Sequence, residues 1–169
     1  MNISIFGLGY VGSVSAACFS SMGHKVIGID SKNEKNDLIN QGSAPIYEKG
    51  LDDLLSVSIK KKLLEATSDV QRAIDNSSIS IICVGTPSRS DNSVDISFIS
   101  KVCEDIAISI RNKKSYHTIV IRSTIPPGTI EDYLIPLIEE KSSLEVNVDY
   151  GIVMNPEFLR EGSAIEDFF

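Results

Sequence analysis

Ile3 to Asp30, ISIFGLGYVGSVSAACFSSMGHKVIGID, sets three glycines in a turn after one apolar run and closes a second apolar run on a lone acid. Ile3 to Phe6 reads as a short buried strand and Lys25 to Ile29 as the next one. Between them, Tyr10 to Met22 reads as a helix whose serines and alanines let it lie close against a sheet. The alternation continues outward. Ser31 and Glu34 hold the spacing of a capping box, which predicts a helix from there to about Gln41. Gly42 to Gly50 reads as a loop and Leu51 to about Leu64 as a helix, with Lys60, Lys61 and Lys62 as a solvated face. A brief strand near Ala66 and Thr67 leads to a helix that Asp69 can cap. Ile79 to Val84, ISIICV, is apolar throughout, as a parallel strand covered on both faces should be. From Asp95 onward Ile96, Ile99, Val102, Cys103, Ile106, Ala107 and Ile110 repeat at helical spacing. HTIVIRS reads as a strand, Thr129 to Glu140 as a helix, and Tyr150 to Met154 as the last strand. Strands alternating with helices need crossover connections. The expected fold is therefore α/β: a Rossmann-like, doubly wound parallel sheet with helices on both faces.

The 169 residues suit one domain able to bury a core without disulfides or metals. A net charge of −7 disfavours a sequence-independent grip on nucleic acid, which needs a basic face to displace counterions. An anionic ligand would have to be held locally, by backbone amides, helix N-termini or single cations. Cys18, Cys83 and Cys103 sit in apolar patterns without metal-ligand spacing, so no metal is expected and a reduced, cytoplasmic setting is. No stretch reads as a secretory leader or approaches the ~18 apolar residues of a membrane span.

G-x-G-x-x-G alone is a weak signal, because glycines collect in turns for steric reasons. Here Gly7, Gly9 and Gly12 follow a strand, open a helix and precede Asp30 at the end of the next strand. In that setting Gly7 permits a tight turn, Gly9 lets a pyrophosphate approach the backbone, and Gly12 lets helix and strand pack closely. The amides from Tyr10 through Val11 to Gly12 would face the phosphates. Asp30 would accept from the adenosine ribose hydroxyls and repel a 2′-phosphate, which favours NAD over NADP. Lys35 reads equally as a second ribose contact or as a surface lysine.

The other unusual polar segments also follow strands: GTPS (85–88), STIPPGT (123–129) and NPEFLREG (155–162). In an open parallel sheet, ligands sit beyond the carboxyl ends of the strands, so these segments should line one crevice. Thr86 and Thr124 are candidates there, with turn or cap hydroxyls as the alternative. Glu157 and Glu161 would share a face if their stretch is helical, with an exposed charged surface as the alternative. His24 flanks a turn and His117 begins a strand, and neither has a patterned partner.

Taken together, IFGLGYVG, GHKVIGID, LINQGSAPIYEKGL, ICVGTPS, RSTIPPGT and NPEFLREGSAI resemble the amino-terminal half of the UDP-glucose/GDP-mannose dehydrogenase family. The resemblance covers essentially the whole chain, and its wording is nearest to the branch acting on GDP-mannose. It implies oxidation of the C6 alcohol of a nucleotide sugar to the carboxylate, using two NAD+ and passing through an aldehyde and a cysteine-bound thioester. It also implies that the backbone at Tyr10 and Val11 binds the pyrophosphate, Asp30 and Lys35 the ribose, and Thr86 and Thr124 the cofactor. Thr124 and Glu157 would orient water or move protons during thioester hydrolysis, and Glu161 would face the substrate.

The family's nucleophile lies in a GGSC motif, and none of the three cysteines stands in that setting. The expectation is a cofactor domain, residues 1–169, cut from a longer enzyme whose central helix and nucleotide-sugar domain lie elsewhere. The substrate would bind mostly through that other half, and the full-length enzyme would be a homodimer. The other functional class left open is a non-catalytic dinucleotide-binding or sensing module.

Overall fold

In the computed structural model, which describes residues 1–169, six parallel strands form one sheet in the order β3-β2-β1-β4-β5-β6. The strands are β1 (Asn2–Phe6), β2 (Lys25–Ile29), β3 (Leu64–Thr67), β4 (Ile79–Ile82), β5 (His117–Ile121) and β6 (Tyr150–Met154). The helices are α1 (Tyr10–Ser21), α2 (Asn33–Asn40), α3 (Leu51–Lys60), α4 (Val70–Asp75), α5 (Ser97–Ile110), α6 (Ile135–Ser142) and α7 (Ala164–Phe168). The chain runs outward from β1 to β3, returns, and runs outward again from β4. The reversal lies between the neighbours β1 and β4.

Each face of the sheet carries its own apolar layer. On one, Ile3, Ile5, Val26 and Ile81 meet Val14, Ala17, Ile39, Leu55 and Ala164 from α1, α2, α3 and α7. On the other, Phe6, Ile29, Ile82, Ile119 and Ile121 meet Ile74, Ile99, Ile106 and Ile138 from α4, α5 and α6. Coverage of both faces is why the central strands read as unbroken apolar runs.

A buried polar seam crosses this second layer. Ser4 Oγ lies 2.7 Å from Ser80 Oγ, and Ser80 Oγ lies 2.7 Å from His117 Nε2. Lys113 Nζ stands 3.1 Å from His117 Nδ1 and also donates to the carbonyls of Ile74 and Ser77. An ammonium can only donate, so Nδ1 accepts and Nε2–H donates to Ser80. Ser77 Oγ, 3.0 Å from Ser4 Oγ, closes the seam by donating to Ala73 O at 2.8 Å. His117 thus begins a strand as read from the sequence, yet it has partners that the sequence pattern did not offer.

Three local expectations are corrected, and one conditional reading is decided. The Ser31/Glu34 capping box does not form, because Lys32 stays extended with its amide on the Asp30 carboxylate at 3.0 Å and takes the N-cap position, so α2 starts at Asn33 without a side-chain cap. The helix read to Leu64 stops at Lys60, since Leu64 pairs with Val26 in the sheet and Lys62 turns the chain at φ 55°. The helix read from Thr129 to Glu140 opens as a π-helical turn, Ile130–Leu134, before α6. Pro136 cannot donate to Asp132 and its ring would crowd that carbonyl, so the wider turn accommodates it. Residues 155–160 are not helical, and Gly162 turns at φ 88°, so Glu157 and Glu161 do not share a helical face.

Candidate functional site

The glycine turn sits at the reversal. Gly7 adopts φ 91°, and a Cβ there would lie 2.9 Å from Cys83 O, just past the end of β4. A Cβ on Gly12 would fall 1.8 Å from Gly7 O, so only hydrogen lets α1 pack onto the end of β1. A Cβ on Gly9 would meet no protein atom within 4 Å. The space above Gly9 is open, and that openness is what a pyrophosphate resting on the backbone requires. The first hydrogen bond of α1 runs from the Ser13 amide to Gly9 O at 3.0 Å, which leaves the amides of Tyr10, Val11 and Gly12 without protein acceptors. Unpaired donors at the positive end of a helix dipole suit an anion.

Asp30 stands beside this turn, 9 % exposed. Its Oδ2 accepts the Leu8 amide at 2.9 Å and Lys35 Nζ at 3.1 Å, and its Oδ1 accepts the Lys32 amide at 3.0 Å. Burial pushes the carboxyl up, but the Lys32 and Leu8 amides and the Lys35 ammonium outweigh it and hold the group below the usual carboxylate range. A carboxylate offers about four acceptor positions. The three protein donors leave a position on Oδ1 for a ligand hydroxyl. Lys35 is tied to the acid rather than free at the surface.

A crevice of about 470 Å³ runs between this turn and α5, lined by Gly7, Gly9, Asp30, Lys35, Val84 and Gly85 with Phe98 and Lys101 opposite. Phe98 and Lys101 were not singled out in the sequence, although Phe98 stands just before the buried Ile99, Cys103 and Ile106 series and is 57 % exposed. An aromatic set off the core face of an amphipathic helix was the available signal. Cys83 also reaches the crevice. Burial pushes its thiol up to about 12, the Glu157 carboxylate adds to the rise and Arg122 opposes it, so it is a protonated thiol at neutral pH. A larger groove of about 530 Å³ lies at the opposite strand ends, near Asn2, Lys25 and Leu64, and includes none of the candidate cofactor, catalytic or substrate residues.

Thr86, Thr124, Glu157 and Glu161 lie outside the crevice lining, on the segments that follow β4, β5 and β6. The strands level these segments, since Phe6, Ile82, Ile121 and Met154 pair across one edge. Ser123 Oγ donates to Val84 O at 2.7 Å, and Arg122 Nη1 donates to Asn155 Oδ1 at 2.8 Å, so the three segments are tied to one another. Thr86 is half-buried and Thr124 exposed. The Glu157 carboxylate accepts the Leu159 amide at 2.7 Å, whereas Glu161 is exposed.

Domains with this strand order bind dinucleotides where the order reverses, and the protein is of that class. The chain belongs to the UDP-glucose/GDP-mannose dehydrogenase family, whose NAD binding domain matches residues 1–169. It is 50 % identical to the GDP-mannose 6-dehydrogenase of Pseudomonas aeruginosa over 168 residues, covering 99 % of this chain and 38 % of that protein. Identity to the UDP-glucose 6-dehydrogenase of Haloferax volcanii is 38 %, over 99 % of this chain and 39 % of that one. Among solved structures, a ternary complex of GDP-mannose dehydrogenase from Pseudomonas aeruginosa superposes with a TM-score of 0.98, covering 99 % of this chain and 38 % of that chain at 50 % identity. A UDP-glucose dehydrogenase from Pyrobaculum islandicum gives 0.92 at 36 % identity, with coverage of 99 % and 38 %. NAD is accordingly the cofactor, and the unpaired amides, the open space above Gly9 and the acceptor left on Asp30 fit it. No helix is long and apolar enough to cross a membrane.

Proposed function

We propose that residues 1–169 supply the cofactor site of an NAD-dependent nucleotide-sugar 6-dehydrogenase that converts a C6 alcohol to a carboxylate with two NAD+. The chain spans 38 % of the length of its GDP-mannose relative, so the oxidation is assigned to the whole protein. GDP-mannose is the preferred substrate, with UDP-glucose or another UDP-sugar next, as the higher identity to the GDP-mannose enzyme supports. Bound NAD+ would supply the hydride acceptor. Around it, the amides of Tyr10 and Val11 hold the pyrophosphate, Asp30 and Lys35 hold the ribose, and Thr86 and Thr124 flank the cofactor. Thr124 and Glu157 place the water and move its proton, and Glu161 faces the sugar. The substrate binds largely through the remainder of the protein, a cytoplasmic homodimer.

The observation that carries this reading is the Gly9 turn, where a row of unpaired amides opens onto space free of protein atoms. Titration should find that the 169-residue chain binds NADH and binds NADPH more weakly, because the charge of Asp30 opposes a 2′-phosphate. The longer protein should release two NADH per GDP-mannose consumed, whereas residues 1–169 alone should give no steady reduction. Equal binding of NADPH, or turnover by the chain alone, would sink the assignment.

A further inference from the structure

Glu48, in the loop between α2 and α3, is 5 % exposed and lies outside the crevice lining. Donors from two remote stretches converge on it. The Tyr10 hydroxyl donates to Oε2 at 2.5 Å, the Gly162 amide donates to the same oxygen at 2.8 Å, and the Ala164 amide donates to Oε1 at 3.1 Å. The Tyr10 hydrogen bond draws the Glu48 carboxyl below its ordinary range; burial opposes this and the two amides reinforce it. Burial and then the bond to Glu48 push the Tyr10 phenol up to about 12, so the hydroxyl keeps its proton and stays a donor.

Both ends of this clasp have a place in the site. Tyr10 is the first residue of α1, and its amide is one of those left unpaired at the turn. Gly162 directly follows Glu161, at the φ of 88° where the last segment swings into α7. One buried carboxylate therefore joins the turn assigned to the pyrophosphate to the segment that carries Glu157 and Glu161.

We propose that Glu48 is a positioning residue that couples occupancy of the glycine turn to the placement of the Glu157–Glu161 segment. The proposal rests on the NAD reading of the turn. A ligand held by the Tyr10 amide restrains the first turn of α1 and with it the Tyr10 ring. Less motion of the hydroxyl leaves less entropy to lose when Glu48 also holds Gly162 and Ala164, and a shared ordering of this kind links two sites without a large change of shape.

The chemistry selects a carboxylate here. Glutamine accepts through one oxygen only and turns an NH2 group toward an amide it cannot serve. Aspartate keeps both oxygens but is one methylene shorter. Loosening the clasp should not detach α7, which keeps its own anchors: Phe168 stacks edge-on against Phe19 at 5.0 Å, and the Arg122 guanidinium lies over the Phe168 ring at 5.7 Å.

The test is amide hydrogen exchange on the 169-residue chain with and without saturating NADH, beside a direct NADH titration and a thermal melt of each variant. In the unmutated chain NADH should slow exchange of Gly162 to Ala164 by about fivefold or more, the low end of ordinary coupling between sites. In Glu48→Gln, still folded and binding NADH, the ratio should fall to about one, and Glu48→Asp should recover part of it. A structural brace alone would raise exchange in both states and leave the ratio intact. The proposal is overturned if NADH binds without slowing these amides, or slows them equally in Glu48→Gln. If the titration shows no NADH binding, the cofactor reading fails and takes the proposal with it.

Discussion

Gly9 and Gly12 answer to different demands although they stand three residues apart in one motif. The Gly12 hydrogen is held against Gly7 O, so Gly12→Ala should destabilise the domain by about 2 to 4 kcal/mol through a clash with backbone that cannot move aside. Gly9→Ala adds a methyl to open space and should leave the melting temperature unchanged while weakening NADH about tenfold or more, roughly 1.4 kcal/mol of affinity. Melting curves and NADH titrations of the two variants separate the roles; loss of stability in Gly9→Ala would show that the turn is only structural. The juxtaposition of these glycines with Asp30 was legible because a strand, a turn and the next strand tip lie within about thirty residues, whereas Lys35 stayed between two readings because a lysine one turn along carries no sign of its partner. Glu48 was not legible, since its partner Gly162 lies 114 residues away and nothing local marks a glutamate in a loop as buried. Phe98 escaped for a related reason, because an outward aromatic on α5 acquires meaning only when the glycine turn is seen across from it.

At the level of elements, every strand and helix read from the alternation is present, and the errors lie at the ends of elements and inside the turns that lead into them. Asp69 does cap α4, accepting the Arg72 amide at 3.0 Å, whereas Ser31 caps nothing because the extended Lys32 holds the N-cap position and leaves Ser31 one residue outside it. Asp69→Ala should therefore cost about 1 kcal/mol in urea unfolding, and Ser31→Ala should stay within about 0.5 kcal/mol of the unmutated chain. Equal losses would restore the capping box. The π-helical turn before α6 was encoded by Pro136, but a proline by itself does not announce whether a helix ends, kinks or widens. The last segment, whose glutamates would share a face only as a helix, is decided by its backbone. Four-residue spacing between two glutamates carries no helical information when a proline stands before the pair and a glycine at positive φ after it.

Across the whole molecule, the buried seam makes stability depend on pH. Burial, then the nearby Lys113 ammonium, lowers His117 to about 3, so the folded protein keeps the ring neutral while the unfolded chain protonates it near 6.5. Stability is thus fully present above about pH 6.5 and falls with pH from there toward 3, by up to about 1.4 kcal/mol per unit. Asp30 and Glu48 have lowered carboxyls and act in the same direction, but only below their unfolded range near pH 4. Urea unfolding at pH 7 and pH 5 isolates the histidine: the unmutated chain should lose about 2 kcal/mol across that window, and His117→Gln should lose far less whatever its starting stability. Parallel losses in both would place the titrating group elsewhere. The seam also has a bearing on the order in which the fold is assembled. Ser4, Ser77, Ser80 and His117 come from β1, the turn before β4, β4 and β5, so no hairpin or single crossover unit can satisfy them. Any partial sheet leaves hydroxyls and an imidazole without acceptors in an apolar layer, which makes half-built intermediates poor resting places and pushes commitment to the native state late, to the moment the two windings of the chain meet.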